Sequence, residues 1–226
     1  MRNVLLGLLV AAVAVSGADP TSARDRQDSA GLRAAVAELD RLARETPDDP
    51  AAQHRLAQAQ SYLAEVLLEL GDKAGARQAA EAGIRAAERA VALQGGSSEN
   101  HRILGTLCGQ VIPANVLLAM RYGRCASESI TKALELDPKS AQAYLSRGVG
   151  NYYLPPAFGG GPEPAVQDFQ KAIVLNPKLA EAHLWLGIAL RRAGKNAEAR
   201  AAMARSLELN PNRVWARQQL EKTPLK

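Results

Sequence analysis

The feature that most constrains the fold is a repeat near the carboxyl end of the chain. Pro177 and Pro211 lie 34 residues apart in similar contexts, VLNPKLAEAHLWLG and ELNPNRVWARQQL. Between them, apolar residues recur at helical spacing twice, over about 180–193 and about 197–209, with Gly194 between the two runs. A helix–turn–helix unit of this length cannot bury its apolar face alone, so neighbouring copies have to stack. The pattern therefore predicts an array of paired helices.

Earlier copies of this unit depart further from the pattern. We place repeats at 180–213, 141–179 and 98–140, and a degenerate repeat at 51–97. In the repeat 141–179 the stretch LPPAFGGGPEP adds about five residues to the common 34-residue period, and it lies between the two predicted helices. Because proline cannot continue a helix and glycine permits any backbone conformation, we interpret this stretch as an enlarged turn inside the repeat.

The copies resemble the tetratricopeptide repeat (TPR). Its large, small and proline positions are matched in the last copy by His183, Leu186, Gly187, Leu190, Ala199, Met203 and Pro211. His, Leu and Met stand where the family has aromatic residues. The resemblance implies an all-α fold, an α-solenoid of about four TPR-like helix pairs with end helices at both termini, the last over 213–222. Within the superfamily the chain resembles exported bacterial TPR proteins with enlarged turns inside their repeats.

Composition and charge agree with a helical array. Apolar residues make up 47% of the 226 residues and aromatic residues only 4%, which favours close-packed helices over a β-sandwich. The formal charge of +5 comes from 28 basic and 23 acidic residues that are mixed along the chain. Such mixing is typical of solvated helix faces, so we predict no nucleic-acid partner.

The amino-terminal residues predict export. Residues 4–15 form an apolar run that is too short for the roughly 20 residues of a membrane-spanning helix, and small residues follow it. We interpret 1–18 as a signal peptide that is cleaved near Ala18; the alternative is an uncleaved membrane anchor. The mature chain would then be periplasmic or extracellular without a transmembrane segment. It would consist of a flexible polar leader, 19–30, and a helical repeat domain, 31–226.

Two cysteines remain in the predicted mature chain. In an oxidising compartment Cys108 and Cys125 are candidates for a disulfide, and the alternative is two separate buried thiols. Two thiols alone make a poor metal site. Because no H-E-x-x-H or G-x-S-x-G motif occurs, we predict no catalytic residue, no metal and no cofactor.

The TPR resemblance implies that the first helices of successive repeats line a concave groove for a protein or peptide partner. The function predicted is a non-catalytic protein-binding scaffold or adaptor of the cell envelope. The alternative is a helical protein that binds a small molecule or lipid in an apolar cavity near the 152–164 turn. Tyr152, Tyr153 and Phe158 either contact the partner or pack the turn onto the array. The predicted binding residues are Arg102, Gln142, Leu145, Tyr152, Tyr153, Phe158, Leu184, Ile188 and Arg191.

Overall fold

A computed structural model describes residues 19–114 and 116–225; the predicted signal peptide lies outside them. The described residues form helices joined by turns, with no strand among them. Three short 3₁₀ turns also occur, at Ile112–Ala114, Val116–Leu118 and Pro156–Phe158. In chain order the α-helices are α1 Pro20–Asp25, α2 Ser29–Glu45, α3 Pro50–Glu69, α4 Lys73–Leu93, α5 Ser98–Val111, α6 Ala119–Leu136, α7 Ala141–Tyr153, α8 Pro162–Leu175, α9 Ala180–Arg192, α10 Asn196–Leu209 and α11 Val214–Glu221.

The helices pack as four consecutive pairs, α3 with α4, α5 with α6, α7 with α8, and α9 with α10. Helices α1 and α2 precede the pairs and α11 follows them. The first helices of the pairs, α3, α5, α7 and α9, contact one another in series, and we call them the inner helices. The all-α solenoid of four TPR-like pairs with end helices is therefore confirmed.

Glycines allow the two helices of a pair to approach closely. A Cβ atom on Gly148 of α7 would lie 2.5 Å from the ring of Phe169 on α8. In the next pair, a Cβ on Gly187 of α9 would lie 2.6 Å from Cγ of Met203 on α10. Both distances are far shorter than a van der Waals contact, so the small residue of the repeat pattern sets the spacing of each pair.

The segment 19–30, predicted as a flexible leader, contains helix α1 and is part of the packed array. The carboxylate of Asp19 accepts a hydrogen bond from the backbone N–H of Ser22 at 3.1 Å and so caps α1. Ala23 is fully buried against the amino-terminal core. The polar composition of residues 19–30 suggests a flexible leader. In the structure, the polar side chains of this segment bind residues from distant parts of the chain instead.

Candidate functional site

The two ends of the array meet at a group of buried charges, which we call the closing cluster: Arg24, Glu65, Glu69, Glu181 and Arg213. Arg213 precedes α11 and is fully buried. Its Nη2 donates to Oε1 of Glu65 on α3 at 2.6 Å and also to Glu69, and its Nε donates to Oε1 of Glu181 on α9 at 2.8 Å. The first and last inner helices are thus joined through one guanidinium group.

Further polar contacts connect the same two ends. Asn210 donates from Nδ2 to Asp25 at 2.8 Å, and Gln27 donates to Glu69 at 2.8 Å. Gln218 of α11 donates to the amide oxygen of Gln27 at 3.0 Å. Hydrogen bonds therefore connect the segment 25–27, at the end of α1, with the segment 210–218 across the face of the inner helices.

The carboxylates of the closing cluster respond differently to their shared environment. Burial raises the pKa of Glu65 to about 7 and also raises the pKa of Glu69. For Glu181, burial acts to raise the pKa, but the guanidinium groups of Arg213 and Arg24 together outweigh it and lower the value. Oε2 of Glu181 is buried without a hydrogen-bond partner. The cluster contains three carboxyl groups and two guanidinium groups, and Glu65 is the member whose pKa is raised to about 7.

Helix α11 covers part of the predicted groove. Leu184 and Ile188 of α9 are buried in a core cluster that includes Ala216 of α11. Arg191 donates to the backbone oxygen of Gln219 at 3.1 Å and is held against the same helix. These three predicted groove residues therefore contact the chain's own carboxyl-terminal helix.

The other predicted residues of the inner helices differ in exposure. Arg102 and Leu145 are 8% and 9% exposed, whereas Gln142 is exposed. Nε of Arg102 donates to Glu99 at 2.8 Å. Along the same face, the hydroxyl groups of Thr106 and Ser146 lie 3.0 Å apart, so polar contacts join neighbouring inner helices.

An open cleft of about 360 Å³ lies where α3 and α5 begin. Nδ1 of His54 lies 2.9 Å from Oδ1 of Asn100, whose amide group donates to the backbone oxygen of Ala90. The Asn100 oxygen is therefore the acceptor and His54 the donor. Burial lowers the pKa of His54, so the ring is neutral at neutral pH. The cleft is lined by Pro50, Ala51, His54, Arg55, Gln94, Ser97, Glu99 and Asn100.

Aromatic side chains fill the space beside the enlarged turn. The ring of Tyr152 contacts Trp185 with centroids 5.9 Å apart, and Trp185 contacts Phe169 at 6.3 Å and Trp215 at 5.3 Å. Tyr153 contacts Tyr152 and Trp185, with centroids 5.0 Å and 6.1 Å apart, although it is 62% exposed. Phe158 is 75% exposed. The turn therefore combines a packed aromatic base with an exposed apolar rim.

The structure joins Cys108 of α5 to Cys125 of α6 in a disulfide, with their Cα atoms 6.0 Å apart. The bond ties the start of α6 to its partner helix, next to the second enlarged turn, 112–118. Neither cysteine is then a free nucleophile or thiolate ligand. In the part of the chain that the structure describes, no group of three or more His, Cys, Asp or Glu side chains is placed to hold a metal ion.

The segment before α11 is the feature that sequence reasoning missed. The sequence pattern predicts an end helix over 213–222, and it does not connect Arg213 with Glu65, Glu69 or Glu181. The positions are separated by up to 148 residues, so no local pattern connects them. The available signal was the pair Glu65 and Glu69, which face one side of α3 at four-residue spacing and repel each other without a cation.

Within residues 19–114 and 116–225, no helix combines the length and apolar composition needed to cross a bilayer. Comparison with solved structures finds proteins of the same fold. A TPR protein of Thermus thermophilus is 20% identical with a TM-score of 0.62; the alignment covers 89% of this chain and 97% of that one. The HusA haemophore of Porphyromonas gingivalis is 20% identical with a TM-score of 0.55, and the alignment covers 77% and 94% of the two chains.

Comparison with curated proteins gives no match. Two family descriptions match the sequence. Residues 159–214 match a tetratricopeptide repeat family, which places the repeats in the TPR superfamily. Residues 17–154, more than half of the chain, match the family described as regulator of microtubule dynamics protein 1-3. The chain therefore belongs to the regulator of microtubule dynamics protein 1-3 family.

Proposed function

We propose that the protein is a non-catalytic scaffold of the cell envelope that binds a protein partner. A TPR-like helical fold is typical of protein-interaction scaffolds, and TPR proteins bind protein or peptide partners. The observation that carries the proposal is the open cleft where α3 and α5 begin, in which six of the eight lining residues are polar or charged. Because the cleft is open and not enclosed, it suits a polypeptide better than a buried small-molecule ligand.

The proposed contact surface continues from this cleft along the starts of the inner helices. Arg55 and Glu99 have side chains that are 55% and 45% exposed. Gln142 occupies the second position of α7, as Glu99 does in α5, and is exposed. These groups supply donors and acceptors in a row, which fits an extended peptide with charges of both signs.

The packing gives no support to an apolar ligand cavity near residues 152–164. The rings of Tyr152 and Phe169 both pack against Trp185 beside this turn. The structural likeness to a haemophore concerns the fold at 20% identity, so it supplies no ligand for this chain.

The envelope location rests on the amino-terminal sequence and on the disulfide. Disulfides persist in oxidising compartments, and the Cys108–Cys125 bond therefore supports export. We expect the mature protein to begin near Asp19. The intact mass of protein from the envelope fraction tests this; a full-length mass in the cytosol would contradict it.

A photo-crosslinking residue at Gln142 tests the contact surface. We expect a defined crosslinked partner from envelope material, and we expect the partner to be lost when Arg55 and Glu99 are both changed to Ala. The matched control carries the same crosslinker at Gln170, an exposed position of α8 outside the inner helices. Equal crosslinking at both positions would show that the inner-helix face has no special role.

A further inference from the structure

The exposed apolar side chains of this molecule are concentrated on one side of the array. The turns inside the four pairs all lie on this side, which we call the turn edge; the turns between pairs form the opposite junction edge. Among the side chains that the structure describes, nine large apolar ones are exposed, and six of them lie on the turn edge. These six are Leu70, Leu117, Met120, Tyr153, Leu154 and Phe158.

The degree of exposure makes this distribution unusual. Met120 is 91% exposed and Phe158 is 75% exposed, although each follows a well-packed inner helix. Single exposed apolar residues need no explanation, but several at one edge indicate a contact surface. They arise from three successive turns of the array, so they form a row and not a single pocket.

The charges of the turn edge are predominantly basic. From 100 to 127 the sequence contains no acidic residue, and this stretch includes Met120 with Arg121 and Arg124 beside it. At the next turns, Arg192 stacks its guanidinium group on Tyr152 at 4.8 Å, and Lys195 is exposed. The acidic residues at this edge are Asp72, which caps α4, Glu128, which pairs with Arg124 at 2.7 Å, Glu163, and Glu198, which pairs with Lys195.

We propose that the turn edge docks on an anionic membrane surface. Apolar side chains would enter the interfacial region of the bilayer, while Arg121 and Arg192 would contact lipid phosphates. A row of apolar groups along one edge fits a planar membrane surface. A protein partner would more typically insert one anchoring side chain into a pocket. The basic groups match an anionic headgroup layer.

This inference goes beyond the proposed scaffold function and does not depend on it. The cleft lined by His54 and Glu99 lies at the starts of α3 and α5, on the junction edge. A molecule that docks by its turn edge therefore leaves the cleft directed away from the membrane. Loss of membrane docking and loss of partner crosslinking are separate results from separate surfaces.

The test uses the full chain with a single environment-sensitive fluorophore on a cysteine introduced by Phe158→Cys or Met120→Cys. The control is Val174→Cys, which is 74% exposed at the junction edge. Vesicles contain equal parts of phosphatidylcholine and phosphatidylglycerol, or phosphatidylcholine alone. We expect a blue shift at 158 and 120 with the anionic vesicles, a smaller shift without anionic lipid or in high salt, and no shift at 174. Because the signal is local, binding through other parts of the chain does not produce this pattern.

Binding measurements on unlabelled variants complete the test. The double variant Met120→Ser with Phe158→Ser should weaken partition to anionic vesicles at least about tenfold, because two buried apolar side chains are lost. The matched double variant Leu136→Ser with Val174→Ser, on the junction edge, should bind as the wild type does. Absence of a shift at 158 and 120 would overturn the proposal. A shift produced only by delipidated envelope proteins would assign the edge to a protein partner and overturn it too.

Discussion

The closing cluster and the turn edge depart in opposite ways from the usual distribution of residues. In the closing cluster, Arg213 and Glu69 are charged and buried, with side chains 1% and 3% exposed. At the turn edge, Met120 and Phe158 are apolar and exposed. Buried charges and exposed apolar groups are the informative exceptions in a folded chain. Arg213 and Glu69 bind each other within the chain, whereas Met120 and Phe158 are the side chains that we propose contact a membrane.

This difference separates residues that hold the array together from residues that are free to bind. A change in the closing cluster should lower the free energy of unfolding, because it leaves buried charges uncompensated. A change at the turn edge should leave that free energy nearly unchanged, because those side chains are already in water. The following predictions test the separation, beginning with the largest effect.

Arg213→Met should cause the largest loss of stability. The substitution leaves Glu65, Glu69 and Glu181 close together without their main cation, and we expect a loss of about 3–5 kcal/mol. Urea unfolding followed by circular dichroism measures it. Arg205→Met, which breaks the exposed pair with Glu208, is the matched control and should change stability by less than about 0.5 kcal/mol. Equal effects of the two substitutions would show that the cluster does not form.

Removal of the disulfide should have the next largest effect. The bond closes a short loop between positions that are 17 apart in sequence, and its loss through Cys108→Ser with Cys125→Ser should cost about 3 kcal/mol. Thermal unfolding with and without reductant measures the loss. Reductant should lower the stability of the wild type and leave that of the double variant unchanged. A wild type that is insensitive to reductant would show that the thiols are free.

The closing cluster should make stability depend on pH. The pKa of Glu65 is raised to about 7 from its ordinary value of 4.5, so between these values the folded chain binds more protons than the unfolded chain. Its contribution to stability is therefore present at low pH and is lost as the pH rises towards and through 7. Glu69 acts in the same direction, and Glu181, whose pKa is lowered, acts in the opposite direction below pH 4.5.

Denaturant unfolding at pH 5.5 and pH 8 measures this dependence. We expect the wild type to be more stable at pH 5.5, and Glu65→Gln to reduce the difference because the amide does not titrate. A difference of the same size in both proteins would assign the pH dependence to other groups.

Changes at the turn edge should have the smallest effect on stability. Met120→Ser with Phe158→Ser should alter the free energy of unfolding by no more than about 0.5 kcal/mol per site, although membrane binding falls. The same unfolding measurement applies. A loss of several kcal/mol would place these side chains in the core and remove the contrast with the closing cluster.

The sequence predicts the parts of this structure that rest on local pattern. The period between Pro177 and Pro211, the small residues Gly148 and Gly187, and the prolines of the 154–164 turn are enough to predict paired helices and an enlarged turn. Each of these signals acts within one repeat. Helical periodicity and small residues at the packing positions are therefore sufficient to predict the fold class and the order of the helix pairs.

Contacts between the two ends of the helical array could not be predicted from patterns within one repeat. Arg213 meets Glu69 across 144 residues, and α1 is ordered by partners near residue 210. The end helix was predicted over 213–222, but its position over Leu184 and Ile188 follows from the path of the whole array. The groove residues were assigned from the repeat position alone, which does not indicate where the chain's own termini lie.

A double-mutant cycle between Arg213 and Glu69 tests the central claim that the array closes on itself in solution. The free energy of unfolding is measured for the wild type, Arg213→Met, Glu69→Gln and the double variant. If the two groups are in contact, the double variant should be more stable than the sum of the single effects predicts, with a coupling energy of about 1–3 kcal/mol. Additive effects within about 0.3 kcal/mol would mean that the ends of the array do not meet.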